Sequence, residues 1–335
     1  MKIFKTTKSR YILNTIAVCA VYGIIMLLIN GGVLNRYQAN MFIPICYNII
    51  IAVSLNFATG FLGQLPLGHA GFMAVGAYSS ALFTLAVDLP SGIEMILALL
   101  IAGIVSGIFG ILIGLPALRL RGDYLAIITL GFGEIIRVIL LNLDFTGGAF
   151  GLSGIQRLTS VTWAFFVMVV SIFVISVIIK SRHGRAILSI RENEIAAESC
   201  GINTTYYKTM VFALSAFFAG IGGALYAHYL KILDPSNFGF MKSVEYLVMV
   251  VLGGMGSIIG SVISATVLTL LPELLRGFAN YRMVIYALLL VIVMIFKPSG
   301  LMGTYDFSLG HSLNSVFTRI KDNKSKKGKG EENNE

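Results

Sequence analysis

Glu134 and Arg137 stand three residues apart inside a long apolar run, a spacing that sets a carboxylate and a guanidinium on one helix face where they can pair. Such a pair admits two uses: a carboxylate for a proton- or ion-coupled carrier, or a neutralised structural contact. A second polar group lies in Asn56-Phe-Ala-Thr-Gly-Phe-Leu-Gly-Gln-Leu-Pro-Leu-Gly-His-Ala-Gly, ending at Gly71, where Asn56, Gln64, Pro66 and His69 sit among glycines beside two apolar runs. In a membrane, backbone broken in this way is tolerated where it is buried in protein or lines a cavity. Asn56, Gln64, His69 and Glu134 are therefore candidates for a translocation path, with a tightly packed turn as the alternative for the first three.

Enzymatic constellations are missing. His69, His183, His228 and His311 have neither metal-ligand spacing nor a paired nucleophile, and Cys19, Cys46 and Cys200 have no spaced partner. The chain also lacks a G-x-x-x-x-G-K-[ST] run, the phosphate-cradling loop of P-loop ATPases. No metal or cofactor is expected in this chain, and ATP, if it drives the protein, must be bound by another.

The elements that hold these residues follow from composition. Of 335 residues 56% are hydrophobic and only 12% charged, more apolar surface than a water-soluble domain can cover. Apolar runs of roughly 20 residues cross a bilayer core as helix. About ten are expected, at 11–29, 41–58, 67–87, 95–118, 124–142, 161–180, 206–230, 243–254, 257–271 and 281–296. The fold class is thus all-α, a polytopic transmembrane bundle with some spans broken or short. Gly103, Gly107, Gly110 and Gly114 share one face of the fourth run, which suits close helix packing, and Gly256, Gly260 and Ser264 repeat the spacing later.

Charge sets the orientation. The net +9 belongs to membrane topology rather than to nucleic acid, because the basic residues flank apolar runs. Ten crossings place Lys2, Lys5, Lys8, Arg10, Arg119, Arg121, the connector at 181–205 and the tail from Lys297 on one side, the cytoplasmic one. The two glycine-rich runs at 243–271 must count as two crossings for this to hold. The expected organisation is a cytoplasmic N-terminus at 1–10, a membrane domain at 11–296 and a cytoplasmic tail at 297–335, disordered beyond 319.

The connector is the longest charged interruption between runs. From Gly184 to Cys200 it lacks proline, it mixes alanines with charges, and Gly201 stands where a helix C′ glycine belongs. It reads as one short amphipathic helix with Ala186, Ile187, Ile190, Ala197 and Cys200 partly on one face. Such a helix can lie in a partner's groove or rest on the membrane surface.

Here the chain resembles a known family. Ile195-Ala196-Ala197-Glu198-Ser199-Cys200-Gly201 is similar to the Glu-Ala-Ala, three residues, Gly pattern of the coupling segment in ABC importer permeases, with Ile195 in place of the first Glu. Four further stretches resemble the branched-chain amino acid permease subunits of the LivM type. They are Leu55-Asn-Phe-Ala-Thr-Gly-Phe-Leu-Gly-Gln-Leu-Pro-Leu-Gly-His-Ala-Gly-Phe, Leu118-Arg-Leu-Arg-Gly-Asp-Tyr-Leu-Ala-Ile-Ile-Thr-Leu-Gly-Phe-Gly-Glu, Thr146-Gly-Gly-Ala-Phe-Gly-Leu-Ser-Gly-Ile and Val251-Leu-Gly-Gly-Met-Gly-Ser-Ile-Ile-Gly. The resemblance implies an ABC importer permease fold in the cell membrane, not an enzyme, moving branched-chain amino acids by alternating access; related permeases carry urea or other amino acids. It implies a second permease of the LivH type, two cytoplasmic ATPases that bind the ATP, and an extracytoplasmic solute-binding protein. It assigns coupling to Arg185, Glu192, Glu194, Ala196, Ala197 and Gly201.

Overall fold

The computed structural model describes residues 35–275, apart from 88 and 121, and isolated positions within 22–31 and 281–301. The expected spans at 11–29 and 281–296 and the tail lie wholly or largely outside the described residues. The fold is that of one compact unit, Tyr37–Thr304. Among the described residues it is helical, with a single antiparallel bridge between Leu152 and Leu233 and no strand.

After a short helical turn at Arg36–Asn40, the α-helices among the described residues are α1 (Phe42–Asn56), α2 (His69–Ala86), α3 (Ser91–Ala117), α4 (Asp123–Asn142), α5 (Val161–Lys180), α6 (Arg182–Glu192), α7 (Glu194–Ser199), α8 (Thr204–Leu230), α9 (Phe240–Gly253) and α10 (Ile258–Leu274). Five of these helices start on a local polar side chain. Ser160, Ser181, Asn193, Asn203 and Ser257 each accept a backbone N–H from the first turn of α5, α6, α7, α8 and α10. Five helices, Tyr37–Phe61, Ser91–Ala117, Asp123–Asn142, Val161–Lys180 and Thr204–Leu230, are long and apolar enough to cross a membrane. The other three expected spans are shorter: α2, α9 and α10 have 18, 14 and 17 residues. At about 1.5 Å per residue α9 is roughly 21 Å long, less than a core of about 30 Å.

α1 and α8 lie at the centre and are buried on nearly all sides. Their packing depends on missing side chains. A Cβ on Gly76 of α2 would overlap the Gly220 backbone of α8, and one on Gly223 would overlap the Met73 carbonyl. On the other side of α8, a Cβ on Gly220 would strike Ser106 and Ala102 of α3. α3 and α5 each turn an apolar stripe outward, Leu100, Ile104, Ile108 and Leu112 on one and Phe166, Val170, Phe173 and Val177 on the other. Those stripes suit hydrocarbon, as expected of a multi-pass membrane protein.

The run at 243–271 is two helices. Gly254 and Gly256, at φ 106° and 85°, reverse the chain, and α9 and α10 fold back on each other. Gly253 lies against the Gly260 carbonyl, and Ser264 Oγ donates to the Met249 carbonyl, so the two helices meet backbone to backbone.

Candidate functional site

Three segments far apart in sequence meet where α1 ends. After Asn56 the helix loosens into a π-helical turn, Phe57–Phe61, and then leaves helical geometry until His69. Asn56, fully buried, clamps the tip of the α9–α10 hairpin. Its Nδ2 donates to the Ser257 carbonyl at 2.9 Å and to Ser261 Oγ at 2.8 Å, and its Oδ1 accepts the Gly256 N–H at 2.9 Å. The amide's polar atoms are thereby satisfied inside an apolar bundle, as burial requires. Gly60 can carry no side chain, because its Cβ position is taken by the Asn56 amide and the Gly256 backbone.

The connector reaches the same point. Arg191, near the end of α6, donates from Nη1 to the Gly60 carbonyl at 2.9 Å, while Nη2 and Nε hold Glu192 Oε1 at 2.6 and 3.1 Å. The Gly60 carbonyl belongs to the last turn of its helix, where carbonyls lack intrahelical partners and carry the negative end of the helix dipole, so a cation is the fitting partner. Gly63, at φ 78°, passes beneath the Arg191 stem, its Cβ position 2.9 Å from Arg191 Cγ.

The connector itself differs from expectation. It is two helices, not one, because the chain is extended at Asn193 (φ −159°, ψ 109°) and the Asn193 side chain caps α7 by accepting the Ala196 N–H at 3.0 Å. Gly201 closes α7 at φ 83°, the left-handed conformation a C′ glycine supplies. Ile187 and Ile190 face the bundle, but Cys200 is exposed. Of the assigned coupling residues, Arg185, Glu192, Ala196 and Gly201 are outward and Glu194 is half-buried. Ala197 is 4% exposed and packs on its own chain, so a surface contact there is sterically closed. Ile195 beside it is 66% exposed. The base of the connector is fastened by Lys208 of α8, whose Nζ lies 2.6 Å from Glu194 Oε1 with the lysine side chain 4% exposed, and by Thr204 Oγ1 donating to Glu198.

Of the remaining candidates, Gln64 adjoins this junction, and His69, Glu134 and the α3 glycines lie apart from it. His69 opens α2 deep in the bundle. Ser54 Oγ lies within hydrogen-bond distance of both the Ile51 carbonyl, at 2.8 Å, and His69 Nε2, at 2.9 Å, and the next residue, Ala70, donates its N–H to Ser243 Oγ at 3.1 Å. Gln64 is half-buried beside exposed Gly63 and Leu65. Glu134 pairs with Arg137 at 2.6 Å, and its other oxygen accepts the Phe240 N–H at 2.7 Å, so the carboxylate braces the start of α9. Gly103, Gly107, Gly110 and Gly114 all face α8; a Cβ on Gly103 or Gly110 would sit 2.6 Å from the Phe217 ring or the Ala216 methyl, whereas one on Gly107 would sit 3.6 Å from the nearest atom.

Arg191, Lys208, Ser257, Ser261 and the α2–α8 glycines have no assignment from sequence. Arg191 lies within the connector, but no local signal distinguishes it from Arg182 or Arg185.

Comparison with known proteins follows the same outline. The family model described as the permease component of branched-chain amino acid transport systems matches residues 37–295. The chain is 38% identical over 289 residues to the high-affinity branched-chain amino acid transport system permease protein LivM of Salmonella typhimurium, an alignment covering 76% of this chain and 67% of that one. The LivM protein of Escherichia coli gives the same identity and coverage. The LivH permease protein of Escherichia coli is 29% identical over 154 residues, covering 45% of this chain and 49% of that one. No solved structure matches the chain. With the match running from the start of α1 past the end of α10 and through the Asn56, Arg191 and Gly256 junction, this chain belongs to the branched-chain amino acid transport permease family.

Proposed function

We propose that this chain is the membrane-spanning permease subunit of an ATP-driven importer of branched-chain amino acids. It works in the cell membrane with a second permease of the LivH type, two cytoplasmic ATPases and an extracytoplasmic solute-binding protein. The connector carries the ATP-driven part of the reading. Two capped helices, fastened at the base by the Lys208–Glu194 pair, hold Ile195 and Ala196 outward on an otherwise polar surface. A rigid knuckle with a small apolar tip suits a groove on a partner and transmits displacement rather than absorbing it. Alternating access then needs two packings of the bundle, selected by whether the ATPases push on the knuckle. The side bearing the connector is the cytoplasmic one on the distribution of lysine and arginine, which also puts both termini there.

The test is reconstitution in vesicles with the partner subunits, comparing Ile195→Asp and Ala196→Trp with Gly92→Trp, whose site opens to free space. Ile195→Asp and Ala196→Trp are expected to insert and pair with the second permease but to lose ATPase association and uptake by roughly tenfold or more, as a central apolar contact does. Wild-type ATPase association in both, or uptake by this chain without any ATPase, would overturn the reading.

A further inference from the structure

We propose that Arg191 is a positioning residue that carries movement of the connector into the inner end of α1 and the tip of the α9–α10 hairpin. The inference rests on the reading that ATPases act on the connector, and it names the part through which that action reaches the membrane helices.

The geometry gives Arg191 little freedom. Its guanidinium is held on one edge by Glu192 and on the other by the Gly60 carbonyl, so the plane cannot rotate without losing one partner. Its stem lies on Gly63, and Nη1 lies 3.3 Å from the Cβ position of Gly256. Beyond Arg191 the chain of contacts has no compressible element. Gly60 touches the Gly256 backbone directly, and Asn56 binds Gly256, Ser257 and Ser261 by three hydrogen bonds. A displacement of α6 therefore reaches two membrane elements through one side chain. It arrives where α1 is weakest, a π-helical turn followed by unwound chain, and where the hairpin turns on two left-handed glycines. Gly63, Gln64 and Leu65, next to the contact, form the accessible part of the broken segment, so motion there alters the surface nominated for the path. The Lys208–Glu194 pair acts elsewhere, fixing α7 to the base of α8 without touching the hairpin.

The test uses the reconstituted transporter with Arg191→Gln and Arg191→Lys. Arg191→Gln is expected to keep ATPase association and binding-protein-stimulated hydrolysis within about twofold of wild type. Uptake should fall roughly tenfold or more, the factor that one hydrogen bond from a charged donor commands. Arg191→Lys, which retains charge and part of the reach, is expected to recover part of the uptake. A second measurement places spin labels at Arg182 of α6 and at Met255, both exposed, after Cys19, Cys46 and Cys200 are changed to serine. Wild type should hold one distance with and without ATP, and the Arg191 variants should show a broadened distance that shifts with ATP. Proportional loss of uptake and hydrolysis, unchanged uptake in Arg191→Gln, or identical distance distributions in variant and wild type would overturn the inference. Wild-type uptake that needs no ATPase would instead strike the underlying reading, and it would do so whatever the variants show.

Discussion

Replacing Asn56 by alanine tests whether the hairpin tip is held by the amide or merely packed beside it. Asn56→Ala removes two donated bonds, to Ser257 O and Ser261 Oγ, and one accepted from Gly256 N–H. The carbonyl of Ser257 keeps Ser261 N–H and Oγ–H as donors, at 3.1 and 3.2 Å, so its loss is partial. Gly256 N–H has no replacement in this geometry. A buried donor left unpaired costs about 1–3 kcal/mol and each lost neutral hydrogen bond about 0.5–1.5, so the change should destabilise the chain by about 2–4 kcal/mol. Ser261→Ala, which leaves Asn56 bound to Ser257 and Gly256, should cost only about 1 kcal/mol. Asn56→Asp keeps an acceptor for Gly256 but sets a carboxylate against the Ser257 carbonyl, and should be at least as damaging as alanine. Thermal unfolding of purified protein in detergent measures all three. At about 1–2 °C per kcal/mol for a chain of this size, the midpoint of Asn56→Ala should drop by roughly 3–6 °C. A drop equal to that of Ser261→Ala, or below about 1 °C, would refute the clamp.

Two further outcomes follow from packing and charge. Gly110→Leu should reduce the yield of folded protein severely, since its Cβ position lies 2.6 Å from Ala216 and 3.2 Å from the Ala213 backbone, while Gly107→Ala should be near neutral by the same assay; equal yields would count against the α3–α8 contact. Glu194→Ala should destabilise by about 3 kcal/mol because it strands a buried lysine, whereas Lys208→Met leaves a carboxylate that can reach water and should cost clearly less; unfolding midpoints in the reverse order would reject the asymmetry.

What is legible in the residues alone is local. Gly201 ends its helix as its position implies, and Gly253, Gly254 and Gly256 interrupt the run at 243–271 where the chain does turn, whereas the caps Ser181, Asn203 and Ser257 are of the right residue type but stand out only once the helix starts are known. Asn193 carries the same kind of cap signal but lies within a stretch whose composition favours continuous helix, so the connector reads as one piece where the fold makes two. The glycines of α3 are visible because they recur on one face. Gly76, Gly220 and Gly223 recur less regularly, yet they make the closer contacts.

By itself the sequence determined that the chain is a set of membrane helices with a polar connector. Apolar length, charge asymmetry and capping residues act within a few turns and need no partner. Tertiary structure alone decided which helices meet. In lipid an apolar face gains as much from hydrocarbon as from another helix, so periodicity does not choose the neighbour. The choice falls to steric fit and to hydrogen bonds that must be completed out of water. Those join residues 131 apart at Arg191 and Gly60, and 200 to 205 apart between Asn56 and the hairpin tip. Ala197 shows the same rule: its helix was visible in the sequence, but whether it faced a partner or its own bundle depended on how α6 and α7 dock.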